Sequence, residues 1–135
     1  MSLQVCIMTP DQIFWNEQAE EIILPTNTGQ MGVLSNHAPL ITALDIGVTL
    51  IRSKTEWIPV ALMGGFALVK DNQITILVNE ADGADDIKSD AAESAFEAAK
   101  AKLEQVTDEK ERVEATFQFK RARARFQVVK QLATI

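Results

Sequence analysis

The sequence is poor in the residues that build covalent or metal centres. Cys6 is its only cysteine, His37 is its only histidine, and tyrosine is absent. One cysteine cannot form an internal disulfide or a four-cysteine site, and one histidine cannot make a metal site. No basic start precedes an apolar run, and no stretch approaches the ~20 apolar residues of a membrane span. We therefore expect no metal, no cofactor and no transmembrane segment, so that any membrane association arises through a partner.

What the chain does have is a globular composition with unevenly spread charge. Its 135 residues are 47% hydrophobic and 24% charged, with a net charge of -6. This is enough for one domain, or for a small domain with an appendage. Residues 1–84 carry three basic and nine acidic side chains, whereas residues 120–135 carry five basic and no acidic ones. The basic tip should attract a negative surface over about 8 to 10 Å at physiological salt.

The first part of the chain has the pattern of a β-sheet protein. Residues 3–78 contain short runs rich in β-branched and apolar side chains, separated by turn residues. About ten short strands without an intervening helical period indicate a flattened β-sandwich or barrel. The candidate strands are residues 3–8, 21–24, 31–34, 40–43, 48–52, 57–62, 66–69 and 74–78.

Glycine and proline mark two special places within these strands. Gly64-Gly65 has neither the extra glycine of a dinucleotide fingerprint nor the lysine of a phosphate loop, so it predicts a tight bend or bulge. Pro59 predicts an edge strand, because proline cannot donate to a ladder of backbone hydrogen bonds.

After residue 84 the apolar pattern changes to the period of a helix. Ser89 is expected to cap a first helix, and Asp108 begins a capping-box pattern for a second helix running towards Leu132. The connection is short, so the two helices should be antiparallel. The predicted fold is therefore α+β: a β-sandwich in residues 1–84 followed by a two-helix hairpin in residues 85–135.

The second helix carries two apolar stripes, where an ordinary hairpin helix needs one. The first helix can cover only one of them. The other must therefore meet the sandwich or another protein, since an uncovered stripe flanked by charge usually marks an interaction surface. A solvated basic face, with the aromatic residues tucked into the hairpin, is the alternative. The first stripe is Ala115, Phe119, Ala122, Phe126 and Val129, and the second is Val113, Phe117, Ala124 and Val128.

Arginines are concentrated between these stripes. Arg121, Arg123 and Arg125 lie in a run that also contains two phenylalanines, a combination found in nucleic-acid-binding elements. The acidic balance of the whole chain argues against a nucleic-acid partner. Because arginine makes bidentate contacts with carboxylates, an acidic protein loop is the better counterpart.

No set of residues in the sequence forms a catalytic motif. His37 could act as a general base, but no nucleophile or carboxylate lies at a recognisable spacing from it. A structural or partner-contact role for His37 is the better interpretation. Two alternative functions remain open from the residues alone: a free-standing adaptor or co-chaperone that presents the hairpin to clients, and a small hydrolase that uses His37.

Three segments, in this order and spacing, resemble the epsilon subunit family of F-type proton-translocating ATP synthase, in its chloroplast and cyanobacterial branch. They are residues 29–39, residues 61–67 and residues 74–81. The alternating arginine and alanine run at residues 121–125 is similar to the basic run of the same branch.

The resemblance implies a non-catalytic subunit of the central stalk, or rotor. The sandwich would bind the gamma subunit and the ring of c subunits, and the hairpin would inhibit ATP hydrolysis at the alpha/beta catalytic head. The protein would be peripheral to the thylakoid membrane, on its stromal or cytoplasmic side. Some family members bind ATP near the start of the hairpin. Here Lys88 replaces the acidic residue of that motif and Ala91 replaces its arginine, so the chain departs from the nucleotide-binding pattern.

The resemblance also implies two sets of partner-binding residues. One set lies in the sandwich and would face the c ring and gamma, and the other lies in the second helix and would reach an acidic loop of the beta subunit. The sandwich set is Gln30, Met31 and His37, and the helix set is Arg121, Arg123 and Arg125.

Overall fold

The computed structural model describes residues 2–130, in which eight β-strands precede two α-helices. The strands are β1 (Leu3–Met8), β2 (Ile13–Ala19), β3 (Glu21–Thr26), β4 (Gly29–Val33), β5 (Leu40–Ser53), β6 (Glu56–Lys70), β7 (Gln73–Val78) and β8 (Ala81–Gly83). A 3₁₀ turn at Ala84–Asp86 leads to helices α1 (Ser89–Gln105) and α2 (Glu109–Lys130). The predicted α+β architecture is confirmed. The predicted end of the second helix near Leu132 lies outside the described residues.

The strands form one continuous sheet that curls into two layers. Its order is β2-β1-β7-β6-β5-β3-β4, with β8 paired beside β6. Neighbouring strands are antiparallel except β1 and β7, which are parallel. The space between the layers is filled by a cluster of buried apolar side chains, which we call the first core. Its largest members are Leu3, Ile7, Ile22, Leu24, Ile51, Leu62, Ile74 and Ile76.

The long strands β5 and β6 pass from one layer of the sandwich to the other. Side chains seven residues apart should point to opposite faces of a regular strand. In β5, however, Leu44 and Ile51 both join the first core. In β6, Leu62 and Ala67 do the same at a separation of five. Each strand therefore reverses its inward and outward positions near its middle, which lets one pair of strands line both layers.

Two consecutive glycines make this reversal possible. Gly64 has φ of 82° and Gly65 has φ of 147°, a region that residues with a side chain rarely adopt. A Cβ atom on Gly65 would also overlap the carbonyl oxygen of Leu77 on β7. The bend predicted at Gly64-Gly65 is present, but pairing with β5 continues on both sides of it.

The strand boundaries differ from the prediction in three respects. Candidate strands 40–43 and 48–52 are parts of the single strand β5, and 57–62 and 66–69 are parts of β6. Strand β2 was not predicted, because its middle is polar and its apolar residues do not alternate cleanly. Pro59 is not on an edge strand of the sheet, since β6 has neighbours on both sides, but β8 pairs with β6 only from Val60 onward.

The two helices pack against each other around aromatic rings. The ring of Phe96 in α1 stacks on Phe126 with centroids 4.9 Å apart and lies 5.6 Å from the ring of Phe119. The predicted cap of α2 is confirmed, because an oxygen of the Asp108 carboxylate accepts a hydrogen bond from the backbone N–H of Glu111 at 3.1 Å. The predicted cap of α1 is wrong by one residue: the helix begins at Ser89 itself.

Candidate interaction surfaces

Helix α2 lies on the outer face of the β5–β6 pair. Two residues of its second apolar stripe, Ala124 and Val128, are 1% and 0% exposed. They complete a second cluster of buried side chains, which we call the docking cluster. Trp57 and Ile87 pack partly against this cluster. Its members on the sandwich are Ile23, Ile46, Val48, Leu50, Ala61 and Met63, and its members on the helix are Ala124 and Val128.

The second stripe of α2 is only half covered by this contact. Val113 is 57% exposed and Phe117 is 48% exposed, although both belong to the same stripe as Ala124 and Val128. The first stripe faces α1, as its aromatic contacts with Phe96 demonstrate. The prediction that the two stripes of α2 meet different surfaces is therefore confirmed for the described residues. One stripe serves the hairpin, and the other contacts the sandwich at one end and solvent at the other.

Two groups of ion pairs border the docking cluster. At one side, the Lys120 ammonium lies 3.3 Å from both carboxylate oxygens of Asp45, at the middle of β5. At the other side, Arg125 donates from Nε to Asp82 at 3.0 Å and from Nη2 to Glu80 at 3.2 Å. All of these side chains are partly exposed, so each pair contributes modestly to stability.

The three arginines singled out from the sequence have different surroundings. Arg125 is engaged by the sandwich, whereas Arg121 is exposed. Arg121 and Arg125 both line an open groove of about 340 Å³ between α1 and α2, together with Lys102. Arg123 is exposed and places its guanidinium 5.2 Å from the centroid of the Phe119 ring. Only Arg125 is therefore held in place by carboxylates of the described part of the chain.

The sandwich residues singled out from the sequence are not gathered at one place. Gln30 is exposed and lines a groove of about 290 Å³ that also includes Arg123 of α2. Met31 is half-buried and packs against the first core. His37 is half-buried in the loop between β4 and β5, and lines a separate pocket of about 420 Å³ beside Asn72. Its Nδ1 atom lies 2.7 Å from the carbonyl oxygen of Ala38, a local contact.

A second surface, not identified from the sequence, covers the opposite side of the sandwich. Five large apolar side chains there are between 45% and 72% exposed, and strand pairing joins them into neighbouring rows. Phe66 is paired with Leu77, and Ile41 is paired with Leu68. Ile13 and Leu77 are each paired with Met8, which lies between them. We call this surface the outer apolar face: Ile13, Ile41, Phe66, Leu68 and Leu77.

The outer apolar face has a signal in the sequence that can be recognised afterwards. In residues 66–69 and 74–78, apolar side chains occur at both odd and even positions. Since alternate side chains of a strand point to opposite faces, one group faces the first core and the other group must face outward. An apolar surface that spans five strands is uncommon on an isolated chain and usually marks a contact with another protein. Within the described residues, the hairpin covers the other side of the sandwich, where α2 lies on β5 and β6.

Neither described helix is long and apolar enough to cross a membrane.

Comparison with known proteins gives a consistent result over both parts of the chain. Residues 2–84 match the family described as ATP synthase, Delta/Epsilon chain, beta-sandwich domain, and residues 85–130 match its long alpha-helix domain. The chain is 79% identical to the protein named ATP synthase epsilon chain, chloroplastic, of Chlorella vulgaris, over 98% of both chains. It is 66% identical to the protein of the same name from Tupiella akineta, over 96% of this chain and 99% of that one.

A solved structure has the same fold. The matching chain belongs to the mitochondrial ATP synthase of Euglena gracilis, determined as an assembly of OSCP, F1 and c-ring. The TM-score is 0.79 at 25% sequence identity, and the match covers 91% of this chain and 78% of that one.

Proposed function

This chain belongs to the ATP synthase epsilon-chain family, and on that premise we propose that it is a regulatory rotor subunit: the sandwich binds the rotating stalk, and the hairpin restrains ATP hydrolysis. It is a component of the synthase rather than its catalytic subunit. The observation that carries the proposal is the division of its apolar surface. Among the described residues, one apolar area of the sandwich is exposed, and a second is covered by the hairpin through α2.

The outer apolar face supports a lasting contact between the sandwich and the stalk. It lies on the rigid sheet, and its members are at least 45% exposed. Interfaces of stable complexes have apolar cores of this kind, in which a few large side chains contribute most of the binding energy. We assign this face to the gamma subunit, since it is apolar enough to be buried in a long-lived complex. We assign the exposed turn at Gln30 and the loop of His37 to the rotor side that meets the c ring.

The contact between the hairpin and the sandwich combines apolar burial with partly exposed ion pairs. Val128 contributes about 1.5 to 2 kcal/mol through its complete burial. The ion pairs of Lys120 and Arg125 contribute up to about 1 kcal/mol each, because they are partly exposed. Release also exposes the sandwich members of the docking cluster, so the contact is reversed by a partner that binds the released hairpin better. The exposed half of the second stripe, Val113 and Phe117, offers such a partner apolar surface.

The arginines of α2 are assigned to an acidic loop of the beta subunit in the catalytic head. Arg121 and Arg123 are exposed while the hairpin is docked, so they can make the first contact. Arginine is suited to this task because its planar fork binds a carboxylate through two hydrogen bonds. Division of the chain into a binding sandwich, residues 1–84, and an inhibitory hairpin, from residue 85 onward, follows from these assignments.

The relatives named chloroplastic support a location at the thylakoid membrane. There the protein would be a peripheral subunit on the stromal side, attached through gamma and the c ring.

The test is the ATPase activity of an epsilon-free synthase titrated with this protein. The variant Arg121→Ala/Arg123→Ala removes the two exposed arginines and leaves the contacts of Arg125 with the sandwich intact. We expect it to bind with unchanged affinity and to inhibit at least tenfold less well. Lys110→Ala, an exposed charge at the start of the same helix, serves as the control. Unchanged inhibition by the double variant would refute the assigned contact.

A second arm of the test separates the two parts of the chain. Ending the chain after Gly83 should leave a sandwich that still binds the synthase but inhibits poorly. Full inhibition by this shortened chain would refute the role of the hairpin.

A further inference from the structure

We propose that Glu80 and Asp82 act as an internal substitute for the acidic partner of the hairpin. They hold Arg125 while the hairpin is docked, and an acidic partner segment must displace them to capture it. The inference rests on the proposed function for the identity of the partner, but the contact itself lies within this chain. Arg125 reaches the two carboxylates through different nitrogens, Nε to Asp82 at 3.0 Å and Nη2 to Glu80 at 3.2 Å.

The two carboxylates are placed where they can hold the hairpin against the sandwich. Glu80 lies between β7 and β8, and Asp82 is the middle residue of β8, which pairs with β6 through Ala61. Both therefore belong to the sandwich. The chain then leaves the sandwich through Ala84–Asp86 and enters α1. Arg125 of α2 contacts the sandwich just before this connection, so its ion pairs join the second helix of the hairpin to the segment from which the hairpin begins.

Arg125 also lies beside the apolar contact that it protects. Its neighbour Ala124 and the later residue Val128 are buried in the docking cluster. Ile87, in the segment that leads to α1, packs against the same cluster. Arg125 thus holds α2 next to the segment that connects the sandwich to α1. Loss of its contacts would therefore loosen the hairpin at this border of the docking cluster.

The surroundings of Arg125 favour exchange of partners rather than a permanent bond. The side chain of Arg125 is 32% exposed, that of Asp82 is 22% exposed and that of Glu80 is 60% exposed. Ion pairs this accessible contribute little each, and water or another carboxylate can replace them. An exchange of one carboxylate pair for another keeps the same number of charge-assisted hydrogen bonds. The exchange is therefore nearly neutral in free energy for Arg125 itself, so that either pair of carboxylates can hold it.

Arg121 offers an acidic segment a first contact close to Arg125. It is exposed one helical turn before Arg125, and both arginines line the groove between α1 and α2. An acidic segment that binds Arg121 first is held four residues from Arg125, about 6 Å along the helix axis. Capture of Arg125 then becomes an exchange between neighbouring carboxylates, and the hairpin loses these two ion pairs with the sandwich.

If Arg125 exchanges partners, two variants should differ in how tightly they bind an acidic segment. Asp82→Asn combined with Glu80→Gln removes the internal carboxylates but keeps Arg125 for the partner. Arg125→Ala removes both contacts at once. Both variants should release the hairpin, but only the first should strengthen binding of an acidic segment.

Trp57 can report release in the full chain, because it packs partly against the docking cluster and lies under the guanidinium of Arg52. Trp15→Phe removes the only other tryptophan. The fluorescence of Trp57 then measures the released fraction of the hairpin. Hydrogen exchange of the α2 amides, measured on chains that keep Trp15, gives the released fraction independently of fluorescence. Oligoglutamate of about ten residues serves as the acidic probe.

For Asp82→Asn/Glu80→Gln we expect the released fraction to rise about threefold to tenfold, and the probe concentration at half-saturation to fall by the same factor. Arg125→Ala should release the hairpin to a similar extent without tighter probe binding. Asp85→Asn, an exposed acidic residue in the connecting turn, should change neither quantity. Unchanged release or unchanged probe affinity in the first variant would overturn the proposal. Because no synthase is present, these results do not depend on whether the hairpin inhibits ATP hydrolysis.

Discussion

Replacing Val128 with alanine should release the hairpin from the sandwich while leaving the sandwich folded. Val128 is fully buried in the docking cluster, and Ala124 is its only fellow member from the hairpin among the described residues. The substitution removes two methyl groups, worth about 0.8 kcal/mol each by transfer, and leaves a small cavity. The expected loss is about 2 kcal/mol, which favours the released hairpin about 30-fold.

Hydrogen exchange on the full chain measures this directly. Amides in the second half of α2 should exchange about 30-fold faster in the variant, whereas amides of β7 in the first core should be unchanged. Val113→Ala is the matched control, since it makes the same replacement in the same helix at a side chain that is 57% exposed. Equal acceleration by the two variants, or equal acceleration in β7 and α2, would refute the separate docking of the hairpin.

Two further predictions concern the sandwich. Gly65→Ala should prevent the sandwich from folding, or cost more than about 3 kcal/mol, because the new Cβ overlaps the Leu77 carbonyl and φ is 147°. Gly29→Ala, where φ is 123° and the space is open, should cost only about 1 to 2 kcal/mol in a denaturant titration. Phe66→Ser should leave thermal unfolding nearly unchanged but weaken binding to the gamma subunit at least tenfold in a titration, whereas Glu56→Ser at the other end of β6 should not.

Much of the architecture is encoded in local patterns that can be read without coordinates. The change of period after residue 84 separates strands from helices, and Asp108 caps α2 as its spacing predicts. The two stripes of α2 also correspond to two real contacts, one with α1 and one with the sandwich. These features depend on neighbours within a few positions along the chain, and the sequence contains all of that information.

The features that sequence patterns could not supply depend on contacts between distant segments. Asp45 and Gly64-Gly65 look like breaks between strands, yet pairing between β5 and β6 continues across them because each strand supports the other. The partners of Arg125 lie 43 and 45 positions away, and only the docked helix brings them together. The exposed side of the sandwich could not be assigned either, since it is defined by where the hairpin folds back.

The proposed brake requires the hairpin to leave the sandwich in order to restrain hydrolysis. Its most direct test is the ATPase rate of an epsilon-free synthase saturated with either the wild-type chain or Asp82→Asn. This substitution lies on the sandwich, so it weakens docking and leaves every side chain of the hairpin intact. A lower hydrolysis rate with Asp82→Asn, at equal amounts of bound protein, is the expected result. An equal or higher rate would contradict a brake that is released from this surface.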